Sequence, residues 1–511
     1  MEEAIALYPG PQFHHVVMMV ELGKLIHRHR PGFAFKFLLT NDHTSSPGAS
    51  SYISGIQSSL PDVSFTHLPP VAPQKCQNEI ELAFKTMRLN VHGVSEALRS
   101  ISLTSRVLAL VTSTIYAPYD LLNIPTYYHF TSCASVLSFF LYLPTLHDRT
   151  TGSFKDQGDA LLTDVPGLPP VRASHMPEPV LDRDNPAYPN FLDFSSSLPR
   201  ARGIILNTFD SLEPRALRAI ADGDCVPSRT TPPVYCIGPL ISNTRDRERH
   251  ASSQGYVLMF DKDQVDEASS LAADSCLACD AFISSMSATW LDKQPSGSVV
   301  FLCFGTGGAF SEPQLREIAT GLERSGHRFL WAVKNPPPDI STEPDLNKLL
   351  PEGFLERTEG KGMVVKSWAP QGAVLRHGSV GGFVTHCGWN SVVEAVSSGV
   401  PMLAWPLYAE QRMNNVVLVE EFGVAIPVAG DGRGEGEGEV LISAEDVERR
   451  VRELMGDGDD GKGRIVRERC KEMRDSAMAA WSHGGSSLSA FSKLLDSWKH
   501  GALVVNKANL T

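Results

Sequence analysis

Polar side chains gather in one turn in the second half of the chain. Residues 381–385 are short, apolar and β-branched at their end, which predicts a buried strand, and 391–398 have helical spacing. In an open parallel sheet the turn between such elements faces the ligand crevice, and the free N–H groups of a helix start attract an anion. The turn is therefore predicted to bind a phosphate group through His386, Asn390 and Ser391.

The same residue types also allow interpretations without a ligand. Ser391 and Glu394 are three residues apart at the predicted helix start, which is the spacing of a capping box. His386 can be a satisfied structural histidine, and Trp368 and Trp389 can simply belong to the core. These alternatives stay open on the residues alone.

The histidine pair His14 and His15 is a second group that could do chemistry. It follows a strand predicted over 4–8 and precedes a helix predicted over 16–29. A loop after the first strand of a doubly wound domain also faces the crevice. Because histidine titrates near neutral pH, it can act there as a general base. The alternative is a histidine pair on a surface turn.

The elements that must position these turns alternate along the chain. Strands predicted at 33–39, 63–68 and 107–111 flank a helix predicted over 78–100. This alternation predicts an α/β fold with a mainly parallel sheet. A chain of 511 residues is too long for one ordinary core, so two domains are expected.

The composition argues against several classes of partner. Lys and Arg number 46 against 58 Asp and Glu, and the net charge of −12 disfavours nucleic acid and anionic membranes. No apolar run reaches membrane-spanning length, and the first residues are acidic where a signal peptide is basic, so a cytoplasmic location is expected. Nine cysteines without a paired framework suit a reducing compartment. Cys276 and Cys279 lack a second pair or a nearby histidine, so no metal site is predicted.

The stretch 368–411 (WAPQGAVLRHGSVGGFVTHCGWNSVVEAVSSGVPMLAWPLYAEQ) resembles the signature sequence of plant secondary-product UDP-glycosyltransferases of family 1, at full length and without a gap. The resemblance implies two facing Rossmann-like domains, the GT-B fold, and a UDP-sugar site that needs no metal or other cofactor. The residues that it assigns to this site are Thr306, Trp368, Ala369, Gln371, His386, Trp389, Asn390, Ser391, Glu394, Glu410 and Gln411.

The resemblance also assigns each part of the nucleotide to particular residues. It implies that Trp368 stacks on uracil, that Gln371 meets the edge of the base through its backbone, and that Glu394 takes the ribose hydroxyls. The three donors of the turn would hold the diphosphate.

The sugar would be bound by Glu410 and Gln411, with Trp389 close by. A glutamine at the last position of the signature indicates a preference for glucose in this family.

His15 aligns with the catalytic histidine of the resembled family through the following VELGKL, and His14 is the alternative. The family pattern Gly-x-Gly-His is changed here, because Gln12 and His14 stand where the two glycines are expected. The loss of two glycines removes backbone freedom from a tight loop. The resemblance therefore specifies the identity of the base better than its pose.

The expected partner of that histidine is also changed. Relatives place an aspartate just after the strand 107–111, whereas this chain has Ser113. The nearby carboxylate is Asp120, which is the candidate substitute. Without a carboxylate a histidine base loses stabilisation of its charged form, and rates fall by orders of magnitude. The hypothesis is a weakened enzyme, or one limited to phenols that ionise easily.

Four segments are predicted: an acceptor-binding domain over 1–241, a linker over 242–287, a UDP-sugar-binding domain over 288–485, and 486–511, a terminal helix that returns to the first domain plus a tail. The predicted function is transfer of glucose from UDP-glucose to a small phenolic acceptor, with inversion at the anomeric carbon. The general resemblance favours acceptors of the flavonoid, isoflavonoid or chalcone class. A monomer is expected.

Three alternatives accompany this prediction. The first is a UDP-sugar-binding protein with weak or no transfer, and the second is the same chemistry on a hormone, terpenoid or monolignol. The third, a two-domain oxidoreductase, needs a GxGxxG fingerprint in the first strand–helix turn, which this chain lacks.

Overall fold

The structure of the protein is a computed structural model. It describes residues 2–40, 43, 49–71, 79–116, 121–241, 289–340, 342–428, 441–456 and 461–508. Asp120, the candidate partner of the histidine base, lies outside the described residues, as does the predicted linker over 242–287.

The chain divides into two compact units. The first unit consists of Met1–Ser242 together with Ala477–Thr511, and the second unit is Asn243–Ser476. The first unit is therefore assembled from two stretches that are far apart in sequence. No helix in the described ranges is long and apolar enough to cross a bilayer.

The first unit is built on a parallel sheet. Its strands in the described residues are β1 (Glu2–Tyr8), β2 (Phe33–Leu39), β3 (Val63–His67), β4 (Ser105–Thr112), β5 (Thr126–Phe130), β6 (Leu161–Leu162), β7 (Val171–Arg172), β8 (Gly203–Leu206) and β9 (Val234–Cys236). Seven of them pair in the order β3-β2-β1-β4-β5-β8-β9, and β6 and β7 form a separate antiparallel pair. The prediction of a mainly parallel α/β fold is confirmed.

Helices cover this sheet and supply its core. They include Phe13–His29, Ala49–Ser59, Glu79–Thr104, Ala134–Arg149, Glu178–Leu181, Tyr188–Ser197, Pro214–Asp222 and Ser486–Ala508. The last of these brings Trp498, which is fully buried, against Tyr127 of β5, with ring centroids 5.9 Å apart. The Tyr127 hydroxyl hydrogen-bonds to Ser497 Oγ at 2.8 Å. The terminal helix is thus an integral part of the first core.

The second unit repeats this arrangement on a smaller scale. Its strands are β10 (Val299–Cys303), β11 (Arg328–Val333), β12 (Gly362–Lys366), β13 (Val380–Thr385), β14 (Met402–Ala404) and β15 (Ala425–Pro427), all parallel in the order β12-β11-β10-β13-β14-β15. Its helices include Glu312–Ser325, Leu346–Leu349, Phe354–Arg357, Gln371–Leu375, Trp389–Ser398, Gln411–Val416, Ala444–Met455 and Lys462–Ala480. Stacked Phe301 and Phe383, both fully buried, mark the centre of this core.

Two predicted boundaries near functional residues are wrong. The first helix begins at Phe13, so His14 and His15 lie in its first turn and not in a loop. The helix after β13 begins at Trp389 with Gly388 before it, so Ser391 lies inside the helix, and the alternative interpretation of a capping box with Glu394 is wrong. In both cases the helix extends into polar residues that the apolar spacing does not mark.

The carboxyl ends of the parallel strands collect the candidate functional residues. Gly10 follows β1 and Ser113 follows β4, and these two strands are paired, with Tyr8 opposite Thr112. In the second unit Gly305 follows β10 and His386 follows β13, which are also paired. In each unit, neighbouring strands therefore deliver two polar turns to one edge of the sheet.

A buried carboxylate anchors one helix of the first unit. Glu213 is fully buried, and it accepts hydrogen bonds from the backbone N–H groups of Ala134 and Ser135 at 2.9 and 3.0 Å. These are N–H groups of the first turn of Ala134–Arg149, which have no partner within the helix. Burial raises the pKa of Glu213, and the N–H donors oppose that shift.

We expect Glu213→Ala to lower the free energy of unfolding of the first unit by about 2–3 kcal/mol, because two buried N–H groups lose a charged acceptor. Thermal unfolding followed by circular dichroism checks this. Glu178→Ala is the control, since Glu178 is exposed. Equal unfolding midpoints for the two variants would contradict the anchoring role.

Candidate functional site

The histidine predicted as the base is held by a serine. His15 lies partly buried in the first turn of Phe13–His29, and its Nδ1 is 2.9 Å from Ser113 Oγ. The same oxygen accepts the backbone N–H of Gly10 at 2.9 Å. The Tyr128 hydroxyl donates to the Ser113 carbonyl at 3.3 Å. Ser113 thus ties the turn after β1 to the end of β4 and presents its hydroxyl to the imidazole.

A second histidine, not singled out in the sequence, fixes the other side of this turn. His43 is fully buried and its Nδ1 accepts the backbone N–H of Thr40 at 2.9 Å. Its Nε2 therefore carries the proton and donates to the Gly10 carbonyl. A Cβ at Gly10 would come within 2.7 Å of His15 Nδ1, so the close approach of the ring requires glycine here. The turn is well defined although two expected glycines are missing from it.

The surroundings keep His15 neutral. Burial lowers the pKa of His15 well below its ordinary value of 6.5, and His14, His129 and His43 lower it further by charge repulsion. His14 is exposed, and its ring centroid lies 4.4 Å from that of His15. An imidazole that is neutral at physiological pH has a free lone pair and can accept a proton.

His129 on β5 is a further residue that sequence reasoning missed. It is 1% exposed, and neither ring nitrogen has a hydrogen-bond partner among the described residues. Burial lowers the pKa of His129 to about 4, so its ring is uncharged at neutral pH. Its position on a strand in the middle of an aromatic sequence gives no signal of its proximity to His15.

In the second unit, His386 occupies a space left by two glycines. It is 6% exposed, and a Cβ at Gly305 would lie 2.5 Å from its Nε2, with a similar clash at Gly388. Its Nδ1 has no hydrogen-bond partner in the described part of the chain. Burial, reinforced by the positive charge of Lys334, lowers the pKa of His386 to about 3. A neutral His386 can offer one N–H to a ligand.

Lys334 was not predicted, although it directly follows β11 at the same sheet edge. Its Nζ donates to the carbonyls of Gly305 at 2.5 Å and Thr306 at 2.6 Å, which holds the glycine-rich turn after β10. Burial lowers the pKa of Lys334 to about 8. Thr306 itself is exposed at the tip of the turn. The rule that polar residues at strand ends form sites would have found this lysine.

The predicted ribose and phosphate residues form one network. Gln371 starts the helix Gln371–Leu375, and its Nε2 donates to Ser391 Oγ at 3.0 Å and to Glu394 Oε2 at 2.8 Å. Ser391 and Glu394 are 6% and 4% exposed. A buried carboxylate that is hydrogen-bonded on one side can accept hydroxyl donors on the other.

The residues predicted to bind the sugar form a compact loop. Gln411 is 3% exposed, and its Oε1 accepts the backbone N–H groups of Leu407 and Tyr408 at 2.9 and 3.0 Å. The Tyr408 hydroxyl is bonded by the Gln411 side chain and the Gly307 backbone. Glu410 is partly buried just before Gln411–Val416. Gln411 therefore shapes this loop as well as lining it.

The other residues predicted to bind the UDP-sugar lie close in sequence to Gln371 and Ser391. Trp368 and Asn390 are partly buried, whereas Ala369 and Trp389 are buried. Trp389 packs against Phe422 with ring centroids 6.5 Å apart, so it contributes to the core. Trp368, in contrast, is only partly buried.

Left-handed backbone occurs beside three of the predicted residues. Ser367, Cys387 and Ala409 have φ values of 59°, 66° and 54°, and each is a direct neighbour of Trp368, His386 or Glu410. Such conformations cost about 1 kcal/mol or more for residues with a Cβ and concentrate at functional sites.

The predicted residues that the structure describes therefore fall into two groups, one in each unit. The second unit can bind a phosphorylated ligand through neutral donors, an ammonium group and helix N–H groups, and the first unit can accept a proton. Among the described residues, no three His, Cys, Asp or Glu side chains converge as a metal site.

Comparisons with known proteins find relatives along nearly the whole chain. The family model for "UDP-glucoronosyl and UDP-glucosyl transferase" matches residues 270–432. UDP-glycosyltransferase 88F3 of Pyrus communis is 48% identical over 509 residues, covering 95% of this chain and 98% of its own. Phloretin 2'-O-glucosyltransferase of Malus domestica is 46% identical over 511 residues, covering 95% and 98%. The solved structure of Phytolacca americana UGT2 with UDP-2fluoro-glucose and pterostilbene superimposes with a TM-score of 0.78 at 35% identity, covering 97% of this chain and 100% of that one.

We expect Gln411→Leu to lower the stability of the second unit by about 1–3 kcal/mol, because two backbone N–H groups lose their acceptor. Gln411→Glu keeps the acceptor oxygens and should lose less. Thermal unfolding of both variants measures this. A wild-type midpoint for Gln411→Leu would show that the loop does not depend on this side chain.

Proposed function

The chain belongs to the plant UDP-glycosyltransferases of family 1, hexosyltransferases with the GT-B fold, and we propose that it transfers glucose from UDP-glucose to a hydroxyl of a small phenolic acceptor. The observation that carries this proposal is His15, a neutral imidazole bonded at Nδ1 to Ser113, at the sheet edge of the first unit. A neutral imidazole in that position suits a general base.

The proposed reaction is a single displacement. Nε2 of His15 takes the proton of the acceptor hydroxyl while the acceptor oxygen forms a bond to the anomeric carbon. The bond from that carbon to the diphosphate oxygen breaks, and UDP leaves with the electron pair. Attack opposite the leaving group inverts the anomeric configuration.

The second unit is proposed to bind the donor. The diphosphate would accept N–H groups from His386, Asn390 and the start of Trp389–Ser398, and the hydroxyl of Ser391. Lys334 would add positive charge next to it, because its ammonium group already lies on the glycine-rich turn. Positive charge at this point favours the departing UDP more than the intact donor.

The remaining donor residues have proposed roles that fit their surroundings. Trp368 is only partly buried, which would leave surface for a uracil stack, and Ala369 and Gln371 follow it along the chain. Glu394 would take the ribose hydroxyls beside its bond to Gln371. Glu410 and Gln411, with Trp389 and Thr306, would surround the sugar.

Two comparisons support the choice of donor and acceptor. The Malus domestica relative is named for glucosyl transfer to phloretin, and the Phytolacca americana structure holds a fluorinated UDP-glucose with pterostilbene. Both acceptors are phenols. A flavonoid, isoflavonoid or chalcone is the proposed acceptor class, and hormones, terpenoids and monolignols are the alternatives to be screened.

A second candidate function is UDP-sugar binding with little or no transfer. It is favoured by Ser113, a hydroxyl at the position where a base is usually oriented by a carboxylate. UDP release and product mass, measured with UDP-glucose and an acceptor panel, separate the candidates. If the protein binds UDP but releases none from UDP-glucose with any acceptor, the second function is supported.

We expect His15→Ala to lower the transfer rate by about 100-fold or more, because general base catalysis contributes about 10²–10⁴-fold. UDP affinity should not change, since the donor residues lie in the second unit. His14→Ala is the matched control and should keep at least a third of the wild-type rate. Full activity in His15→Ala would refute the base, and loss only in His14→Ala would transfer the role to that residue.

We expect UDP affinity to fall as the pH rises through about 8, where Lys334 loses its proton. The sign follows from the ligand, because a diphosphate binds the ammonium form better than the amine. Lys334→Arg stays charged and should show constant affinity from pH 7 to 9.5, whereas Lys334→Met should bind weakly throughout. Calorimetry measures the UDP affinity of the wild type and both variants. If the affinity of Lys334→Met followed pH as that of the wild type does, Lys334 would not have this role.

A further inference from the structure

The environment of His15 contains no negative charge in the described residues. The titratable groups that act on it are His14 from its own helix, His43 from the segment after β2 and His129 from β5. The end of β4 contributes a hydroxyl, Ser113 Oγ. Burial and these histidines all lower the pKa of His15, and among the described residues no carboxylate stabilises its imidazolium.

A hydroxyl controls an imidazole less strictly than a carboxylate does. A carboxylate only accepts, so it forces the proton onto Nδ1 and leaves Nε2 free to act as a base. The Ser113 hydroxyl already accepts the Gly10 N–H, and it can either accept from His15 Nδ1 or donate to it. The tautomer with its proton on Nδ1, which leaves Nε2 free to act as a base, is therefore allowed by Ser113 but not enforced.

We propose that Ser113 is a positioning residue that restricts this enzyme to acceptor hydroxyls of high acidity. It holds the ring of His15 in place without increasing its affinity for a proton. An acidic phenol gives up its proton to such a base readily, whereas a weakly acidic phenol or an alcohol does not. This inference rests on the proposed transfer reaction.

The restriction follows from the energetics of proton transfer. A difference of one pKa unit between acceptor and base changes the equilibrium tenfold. Burial and the neighbouring histidines lower the pKa of His15. Proton transfer from the acceptor to His15, which forms a phenolate and an imidazolium, is therefore less favourable for every acceptor. The rate then depends strongly on acceptor acidity, because much of the proton must move in the transition state.

The serine also has a structural duty that the test must separate from this role. Its Oγ accepts the Gly10 N–H and its carbonyl accepts the Tyr128 hydroxyl. Ser113→Ala removes the first of these bonds, so a loss of activity in that variant alone proves nothing about acidity. Ser113→Asp and Ser113→Asn have the same size and differ in charge, which makes Asn the matched control.

The experiment measures kcat/KM for substituted phenols whose pKa values run from about 7 to about 10. In the wild type we expect kcat/KM to fall at least tenfold across the series. In Ser113→Asp it should rise at least tenfold for the weakest acid and less than threefold for the strongest. Ser113→Asn should keep the wild-type slope.

A second readout is independent of turnover. We expect the NMR titration of His15 to show a pKa below the ordinary value of histidine in the wild type, because the ring is buried beside other histidines, and this pKa should rise in Ser113→Asp but not in Ser113→Asn. The acid limb of the kcat/KM profile should move with it. This wild-type titration and the wild-type slope remain decisive even if a variant does not fold.

The outcomes distinguish this inference from the proposed function. Transfer with a slope that is flat across the series overturns the acidity restriction and leaves the glucosyltransferase intact. No transfer by either wild type or Ser113→Asp, with UDP still bound, overturns the proposed function and this inference together. Transfer by Ser113→Asp to phenols that the wild type ignores supports both.

Discussion

The hydrogen bond from the Gly10 amide to the Ser113 hydroxyl is the contact on which the position of His15 depends. It joins the ends of two neighbouring parallel strands, β1 and β4, at the edge where their turns leave the sheet. His43 holds the carbonyl of the same glycine, so the peptide group is fixed from both sides. The position of His15 follows from this, because its ring packs directly on Gly10.

The second unit solves a related problem with charge. A diphosphate site needs donors that are already oriented, since water competes for any that are not. In the proposed donor site, burial keeps His386 neutral so that it can offer one N–H, while Lys334 carries the positive charge and holds the glycine-rich turn. Separating orientation from charge lets the two side chains lie close together without repulsion between cations.

The sequence patterns predicted the parallel sheets and the residues at strand ends, because period and edge position are local properties. They misplaced the start of the first helix, since Gln12, Phe13 and His14 carry no helical signal of their own. They also missed His43 and His129. His129 lies near His15 because β1, β4 and β5 are paired, and His43 does so because the segment after β2 returns to this turn. Such tertiary contacts leave no local pattern in the sequence.

The paired roles of Ser391 and Glu394 show the same limit more sharply. Their spacing fits a capping box, yet Gly388 precedes the helix, and both side chains meet Gln371 from another helix. The same two residues could form either a local capping box or the hydrogen-bond network with Gln371. The start of the helix decides between them, and sequence spacing places that start only to within a turn.

The terminal helix has a consequence for the order in which the protein is made. Phe491, Leu494, Leu495 and Trp498 are buried in the first core, yet they are synthesised after the whole second unit. On the ribosome the second unit is contiguous and can fold while the apolar surface that receives this helix still has no cover. The unit that carries His15 is therefore begun first and completed last, and proteolysis near residue 490 would damage it while sparing the sheet of the second unit.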